Sequence, residues 1–161
     1  MIEVRRVRGD DEMARSFVAA MEAWVTENFG PATPDRTSTV TAGEMAPPSG
    51  CFVLVYEDGN AVAGGGLRRL EDGVGEIKRM FVHPAARGRG HGRRVLEALE
   101  AAAIELGYRR VRLDTAQSMT TALAMYRSAG YRDIADYNGN SYASFWGEKE
   151  LGPRRRSTTA G

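Results

Sequence analysis

Apolar and polar positions change their period several times along this chain, and each change marks an element. The run "IEVRRV", Ile2 to Val7, alternates as a half-buried strand does. From Asp10 the stretch "DDEMARSFVAAMEAWVTENF" takes helical spacing, with Met13, Phe17, Met21, Trp24 and Val25 on one face. Acids fill its first turn, and Asp10 or Asp11 serves as its cap. Gly30 to Ser49 holds Pro31, Pro34, Pro47 and Pro48 among Thr and Ser, which predicts a loop with room for one short helix. "CFVLVYEDGNAVAGGGLRRLEDGVGEIKRMFV" then reads as three strands of an antiparallel meander, with "EDGN" and "EDGV" as its turns.

After a glycine-rich loop, "RRVLEALEAAAIELG" sets Val95, Leu96, Leu99, Ala103 and Leu106 on one helical face and stops at Gly107, a left-handed cap. "RRVRLD" is the next strand, "MTTALAMYRSAG" a helix closed by Gly130, and "YRDIADY" with "SYASFWGEKEL" a terminal strand pair. The tail "GPRRRSTTAG" has no apolar anchor and is predicted to be disordered. The reading is therefore one domain over residues 1–152 and a disordered basic tail over 153–161. Its class is α/β, as a three-layer α+β arrangement: a mixed, mostly antiparallel sheet of about seven strands flanked by helices, with one right-handed βαβ crossover in the middle.

Size and charge narrow the function. A chain of 161 residues fits one domain with its own core. A net charge of +1 lacks the basic excess of a protein that coats nucleic acid or an anionic membrane. The "RRR" tail and the arginine loop carry no interleaved aromatics to stack on bases, so no nucleic-acid partner is expected. Cys51 is the only cysteine, so neither an internal disulfide nor a multi-cysteine metal cluster can form. His83 and His91 are the only histidines and have no acidic partner at ligand spacing, so no metal is expected. The start lacks the apolar core of a secretory signal, and no apolar run approaches the roughly 18 residues of a membrane span. Cytoplasmic location, without a membrane partner, is the expectation.

The chemistry begins at "RGRGHG", Arg87 to Gly92, directly after the strand "EIKRMFV" and before a helix. A helix opening among glycines presents unpaired amides and the positive end of its dipole, so a phosphate can touch the main chain. Arg87, Arg89, Arg93 and Arg94 surround it with charge. The same residues also read as a flexible turn of solvated charges. A Walker loop is excluded because neither lysine, Lys78 nor Lys149, follows a glycine. A dinucleotide-binding turn is excluded because "HPAAR" separates Val82 from Gly88 and Arg93 stands where its third glycine belongs.

"EIKRMFVHPAARGRGHGRRVLEAL" resembles the acyl-CoA-binding core of the GNAT superfamily of N-acetyltransferases, whose [Q/R]-x-x-G-x-[G/A] signature is met by Arg87, Gly90 and Gly92. "ALAMYRSAGYR" resembles the same family's A-x-x-x-Tyr-x-x-x-Gly-[Phe/Tyr] helix end, with Tyr126, Gly130 and Tyr131. The resemblance implies a GNAT fold in which the parallel strand pair flanking the glycine loop splays at a bulge. It implies acetyl-CoA as co-substrate, its pyrophosphate on Gly88, Arg89, Gly90, His91, Gly92 and Arg93 beside Arg87. Its pantetheine arm would lie along Met80, Phe81 and Val82, with an amide near Phe81 or Val82 polarising the thioester carbonyl.

Acetylating an amine needs a neutral nucleophile, a stabilised oxyanion and a proton for the departing thiolate. The resemblance implies Glu76 as general base, directly or through water, and Tyr126 as proton donor to the CoA sulfur. Glu76 equally reads as a solvated carboxylate or a partner of Lys78, and Tyr126 as a core residue with a wet hydroxyl. Asp114 reads as a strand-end cap or an anchor of the pocket through Thr115. His91 is expected to face phosphate or solvent, and Cys51 to be a buried small hydrophobe rather than an acyl carrier. Met119 stands where many family members carry a pantetheine-binding Asn, which leaves that contact unsupplied. Acceptor residues are expected at Trp24, Phe29, Tyr137 and Asn138, suited to a primary amine on a small polar, amino-acid-like molecule or a peptide. The alternative is an inactive acyl-CoA sensor or interaction module on the same fold. A homodimer through exposed edge strands is allowed.

Overall fold

The computed structural model describes residues 1–31, 40–115 and 120–152, the side chain of Thr120 excepted. The predicted disorder of 153–161 and the position of Met119 lie outside them. The elements are β1 (Ile2–Val7), α1 (Glu12–Phe29), a 3-10 turn (Ala42–Met45), β2 (Cys51–Glu57), β3 (Asn60–Glu71) and β4 (Val74–Val82). There follow a 3-10 turn (Pro84–Ala86), α2 (His91–Glu105), β5 (Arg110–Thr115), α3 (Thr120–Ser128), β6 (Arg132–Asp133) and β7 (Phe145–Glu150).

All seven strands form one sheet in the order β1-β2-β3-β4-β5-β7-β6, antiparallel except for the β4–β5 pair. Alternation along β2 divides the core. Cys51, Val53 and Val55 turn to one face and meet Val95, Leu96 and Leu99 of α2 with Tyr126 of α3. Phe52 and Leu54 turn to the other face and meet Ala14 and Phe17 of α1 together with Met45 and Phe81. Each fully buried Leu or Phe contributes about 2 kcal/mol by leaving water. The glycine run of β3 lets side chains settle directly on the sheet: a Cβ at Gly64 would stand 2.8 Å from the Phe17 ring and one at Gly65 2.6 Å from Met80 Sδ.

Some local expectations are corrected. β1 is mostly exposed rather than half-buried, because it is the edge strand and only Val7 reaches the core beneath α1. Met13 is 44% exposed and Leu106 39%, each sitting near a helix end beyond the packed face. Asp11 occupies the cap position of α1 without a side-chain bond into the helix. The terminal strand pair is unequal, because β6 contributes two residues only.

Candidate active site

β4 and β5 pair for three residues only, Val74 with Arg110, Gly75 with Val111 and Glu76 with Arg112. Beyond that point β4 pairs with β3 alone and β5 with β7 alone, so the two parallel strands part. A bulge accompanies the parting. Arg79 has a left-handed φ of 62°, and the β3–β4 register skips between Gly64 and Gly66.

The parted strand leads to the opening of α2. Gly88 and Gly90 adopt φ of 82° and 80°, conformations that cost a residue bearing a Cβ about 1–2 kcal/mol. Among the described residues, the main-chain amides of Gly88 to Arg93 meet no acceptor, and the first helical bond runs from Arg94 N to Gly90 O at 3.1 Å. A Cβ added at Gly88 would meet nothing within 4 Å, so the approach to these amides is open. The surrounding arginines are held rather than free. Arg89 donates to Glu57 at 2.6 Å, Arg93 to Ser128 Oγ at 2.6 Å and Arg94 to the Arg89 carbonyl at 2.7 Å. Arg87 donates to the Val82 carbonyl at 3.1 Å and lies 4.8 Å over the Trp24 ring.

His91 corrects its expectation. The side chain is 1% exposed and turns inward, with Nε2 3.6 Å from Glu57 Oε2 and Nδ1 3.4 Å from Arg94. As the first residue of α2 it offers the cradle its amide, while its ring packs beneath.

Glu76, at the point where the strands part, is completely buried. Arg68 Nε donates to Oε1 at 2.8 Å, and Oε2 receives the Tyr137 hydroxyl at 2.7 Å and lies 3.3 Å from Lys78 Nζ. It is thus a paired carboxylate and not a solvated one. Lys78 Nζ also reaches Asp114 at 3.5 Å. Asp114 in turn accepts from Asn138 at 2.5 Å and Asn140 at 3.2 Å, which ties the segment between β6 and β7 to the end of β5. Trp146 Nε1 completes the tie by donating to Asn138 Oδ1 at 2.9 Å.

Tyr126 is buried on the opposite side of the parting, its ring 5.8 Å from Tyr131. Its hydroxyl makes no hydrogen bond among the described residues. Burial, reinforced by the negative charge of Asp114, pushes its pKa well above the ordinary phenol value. Burial pushes the Cys51 thiol up to about 11, with Arg6 opposing and Glu105 adding, so it stays protonated and unreactive at neutral pH.

The model of the acetyltransferase (GNAT) family matches residues 17–131. The chain belongs to that family. It is 36% identical over 110 residues to the IAA acetyltransferase of Azospirillum brasilense, covering 66% of this chain and 72% of that protein. It is 34% identical over 94 residues to an uncharacterized N-acetyltransferase of Escherichia coli (strain K12), covering 56% of this chain and 55% of that protein. A GNAT-family acetyltransferase from Staphylococcus aureus Mu50 shares the fold with a TM-score of 0.78 at 18% identity, over 94% of this chain and 99% of that one. PaiA N-acetyltransferase from Thermoplasma acidophilum, crystallised with coenzyme A, shares it with a TM-score of 0.66 at 16% identity, over 93% and 99%.

In this GNAT acetyltransferase the four expected acceptor residues fall into two pairs. Trp24 and Phe29 meet edge to face 5.8 Å apart beside Phe81, 5.5 Å from Trp24, near the end of β4. Tyr137 and Asn138 lie at Glu76 and Asp114, where the parting begins. Sequence reasoning missed Arg68 and the joint role of Lys78 and Asp114. The signal lay in register, since Arg68 stands directly across from Glu76 and Lys78 follows Glu76 on the same face. Among the described residues, no helix is long and apolar enough to cross a membrane, and no group of three or more His, Cys, Asp or Glu side chains could hold a metal ion.

Proposed function

We propose that this enzyme transfers an acetyl group from acetyl-CoA to a primary amine of a small, amino-acid-like molecule or a peptide, by direct attack in a ternary complex. The observation that carries the reading is the run of unclaimed amides from Gly88 to Arg93, at the start of α2 and beside the opening between β4 and β5. Such amides at the positive end of a helix dipole suit a diphosphate. The coenzyme A in the PaiA crystal structure supports the same class of ligand. When bound, acetyl-CoA supplies the activated thioester.

The chain's residues then have distinct tasks. Gly88 to Arg93 hold the pyrophosphate, with Arg87 alongside. The edge of β4 from Met80 to Val82, which lacks a partner strand on the β5 side, hydrogen-bonds the pantetheine arm as an added strand. An amide near Phe81 or Val82 stabilises the oxyanion. At neutral pH only about one alkylamine in a thousand is unprotonated, so a proton acceptor accelerates attack. Glu76 is that acceptor. Tyr126, kept neutral by its surroundings, protonates the departing thiolate. Trp24, Phe29, Tyr137 and Asn138 bound the acceptor space, and Cys51 takes no part.

Titrating coenzyme A into the protein by calorimetry, and then following thiol release from acetyl-CoA across a panel of primary amines and amino acids, tests this reading. Binding with turnover of at least one amine is expected. Absence of binding heat, or binding without turnover of any amine, would overturn it.

A further inference from the structure

We propose that Tyr137 is a catalytic residue that relays the acceptor's proton to Glu76. This rests on the amine-acetylation reading above and adds the route by which the proton travels.

Glu76 has no exposed surface, and both of its oxygens are occupied. An amine entering the space between β4 and β5 therefore cannot touch it. Tyr137 keeps exposed surface where Glu76 has none, and its hydroxyl stands 2.7 Å from Oε2. That hydroxyl has committed its hydrogen to Glu76, which leaves its oxygen lone pairs free to accept one. The charged groups around the ring are Glu76, Asp114 and Arg112, the last with its guanidinium 5.5 Å over the ring. Burial and the two carboxylates outweigh Arg112 and push the phenol pKa upward, so Tyr137 passes a proton without remaining ionised.

The amine lone pair forms the C–N bond to the thioester carbon. The N–H proton moves to Tyr137 Oη while the Tyr137 hydrogen moves to Glu76 Oε2. The C–S electron pair leaves with the CoA sulfur, which takes a proton from Tyr126. Glu76 then returns its proton to solvent back through Tyr137, and Tyr126 regains one.

Arg68 and Lys78 hold the Glu76 carboxyl from two sides, and the segment carrying Tyr137 is pinned by Asn138 and Asn140 to Asp114. The relay is thereby held in place before the acceptor arrives.

The test uses the full chain with acetyl-CoA and whichever primary amine of the panel the wild type acetylates fastest. Tyr137→Phe is expected to lower kcat about 100-fold with the KM for acetyl-CoA unchanged. Its rate should rise with pH in step with free amine where the wild-type rate levels off. Glu76→Gln combined with Tyr137→Phe should be no slower than the slower single variant, because both lie on one path. In mixed light and heavy water the wild-type rate should curve with deuterium fraction, as several moving protons require.

A kcat for Tyr137→Phe within twofold of wild type, multiplicative losses in the double variant, or a straight deuterium plot would overturn the relay. The deuterium plot needs no variant, so a straight plot overturns the relay even if Tyr137→Phe fails to fold. If the wild type binds coenzyme A yet acetylates no amine, the acetylation reading itself is refuted, and the relay with it.

Discussion

The opening of α2 and the point where β4 leaves β5 treat their polar groups in opposite ways. The first leaves the amides of Gly88 to Arg93 without acceptors, while the second gives every oxygen of Glu76 a donor. Physical cost explains the difference. Helix-end amides that water can reach lose little by waiting for a ligand. A carboxylate removed from water must be paired or it unfolds its surroundings. The first region thus keeps its donors open, whereas the second encloses its carboxyl among partners.

The largest expected effect breaks the second region alone. Glu76→Gln should reduce kcat about 1000-fold and cost about 2 kcal/mol of stability, since Arg68 and Lys78 lose their counter-charge, yet change coenzyme A affinity less than twofold. Kinetics, thermal melts and calorimetry check the three parts, and a parallel loss of affinity would show the regions to be coupled. Gly90→Glu attacks the first region, placing a Cβ at φ 80° and a negative charge at the cradle. Coenzyme A affinity should fall about 100-fold, roughly 2.7 kcal/mol, and the left-handed strain should lower the melting temperature by about 2–8 °C.

Tyr126→Phe should lower kcat about 10-fold and leave affinity alone. Because the wild-type phenol pKa is raised, its proton stays on as pH rises, so wild-type kcat should show no alkaline decline below about pH 10. A decline centred near pH 8 would exclude Tyr126 as the acid.

The smallest effect concerns Glu148, a second saturated carboxylate. Burial alone would raise its pKa, but Arg132 at 2.7 Å and Arg112 at 2.9 Å prevail and hold it below the ordinary 4.5. The native state therefore binds its proton less readily than the unfolded chain. The stabilisation is present above about pH 4.5 and is lost as pH falls through the lower folded value. Glu148→Gln should cost about 1 kcal/mol at pH 7 and flatten the acid limb of a stability-versus-pH curve.

Element order was legible because the cues are local. "EDGN" and "EDGV" fix two turns, Gly107 and Gly130 end two helices with φ of 88° and 100°, and the apolar faces of α1 and α2 follow one period. The glycine turns that open α2 were legible for the same reason. The inward ring of His91 was not, because it depends on Glu57 lying beneath the start of α2. Nor was the enclosure of Glu76, whose partners Arg68 and Tyr137 are 8 and 61 residues away and meet it only through strand register and the return of the chain past β6. Pairing energies set by tertiary approach leave no periodic trace in a sequence.

The bulge at Arg79 does more than widen a gap. Ile77 and Met80, three positions apart, both turn toward α2, while Phe81 turns toward α1. A regular ladder would put Phe81 on the α2 side, away from Glu76 and Lys78. One surplus residue thus resets the parity of the strand, so that the Glu76 carboxyl and the Phe81 ring share a single surface. Excising it would transfer the ring across the sheet and sever the two.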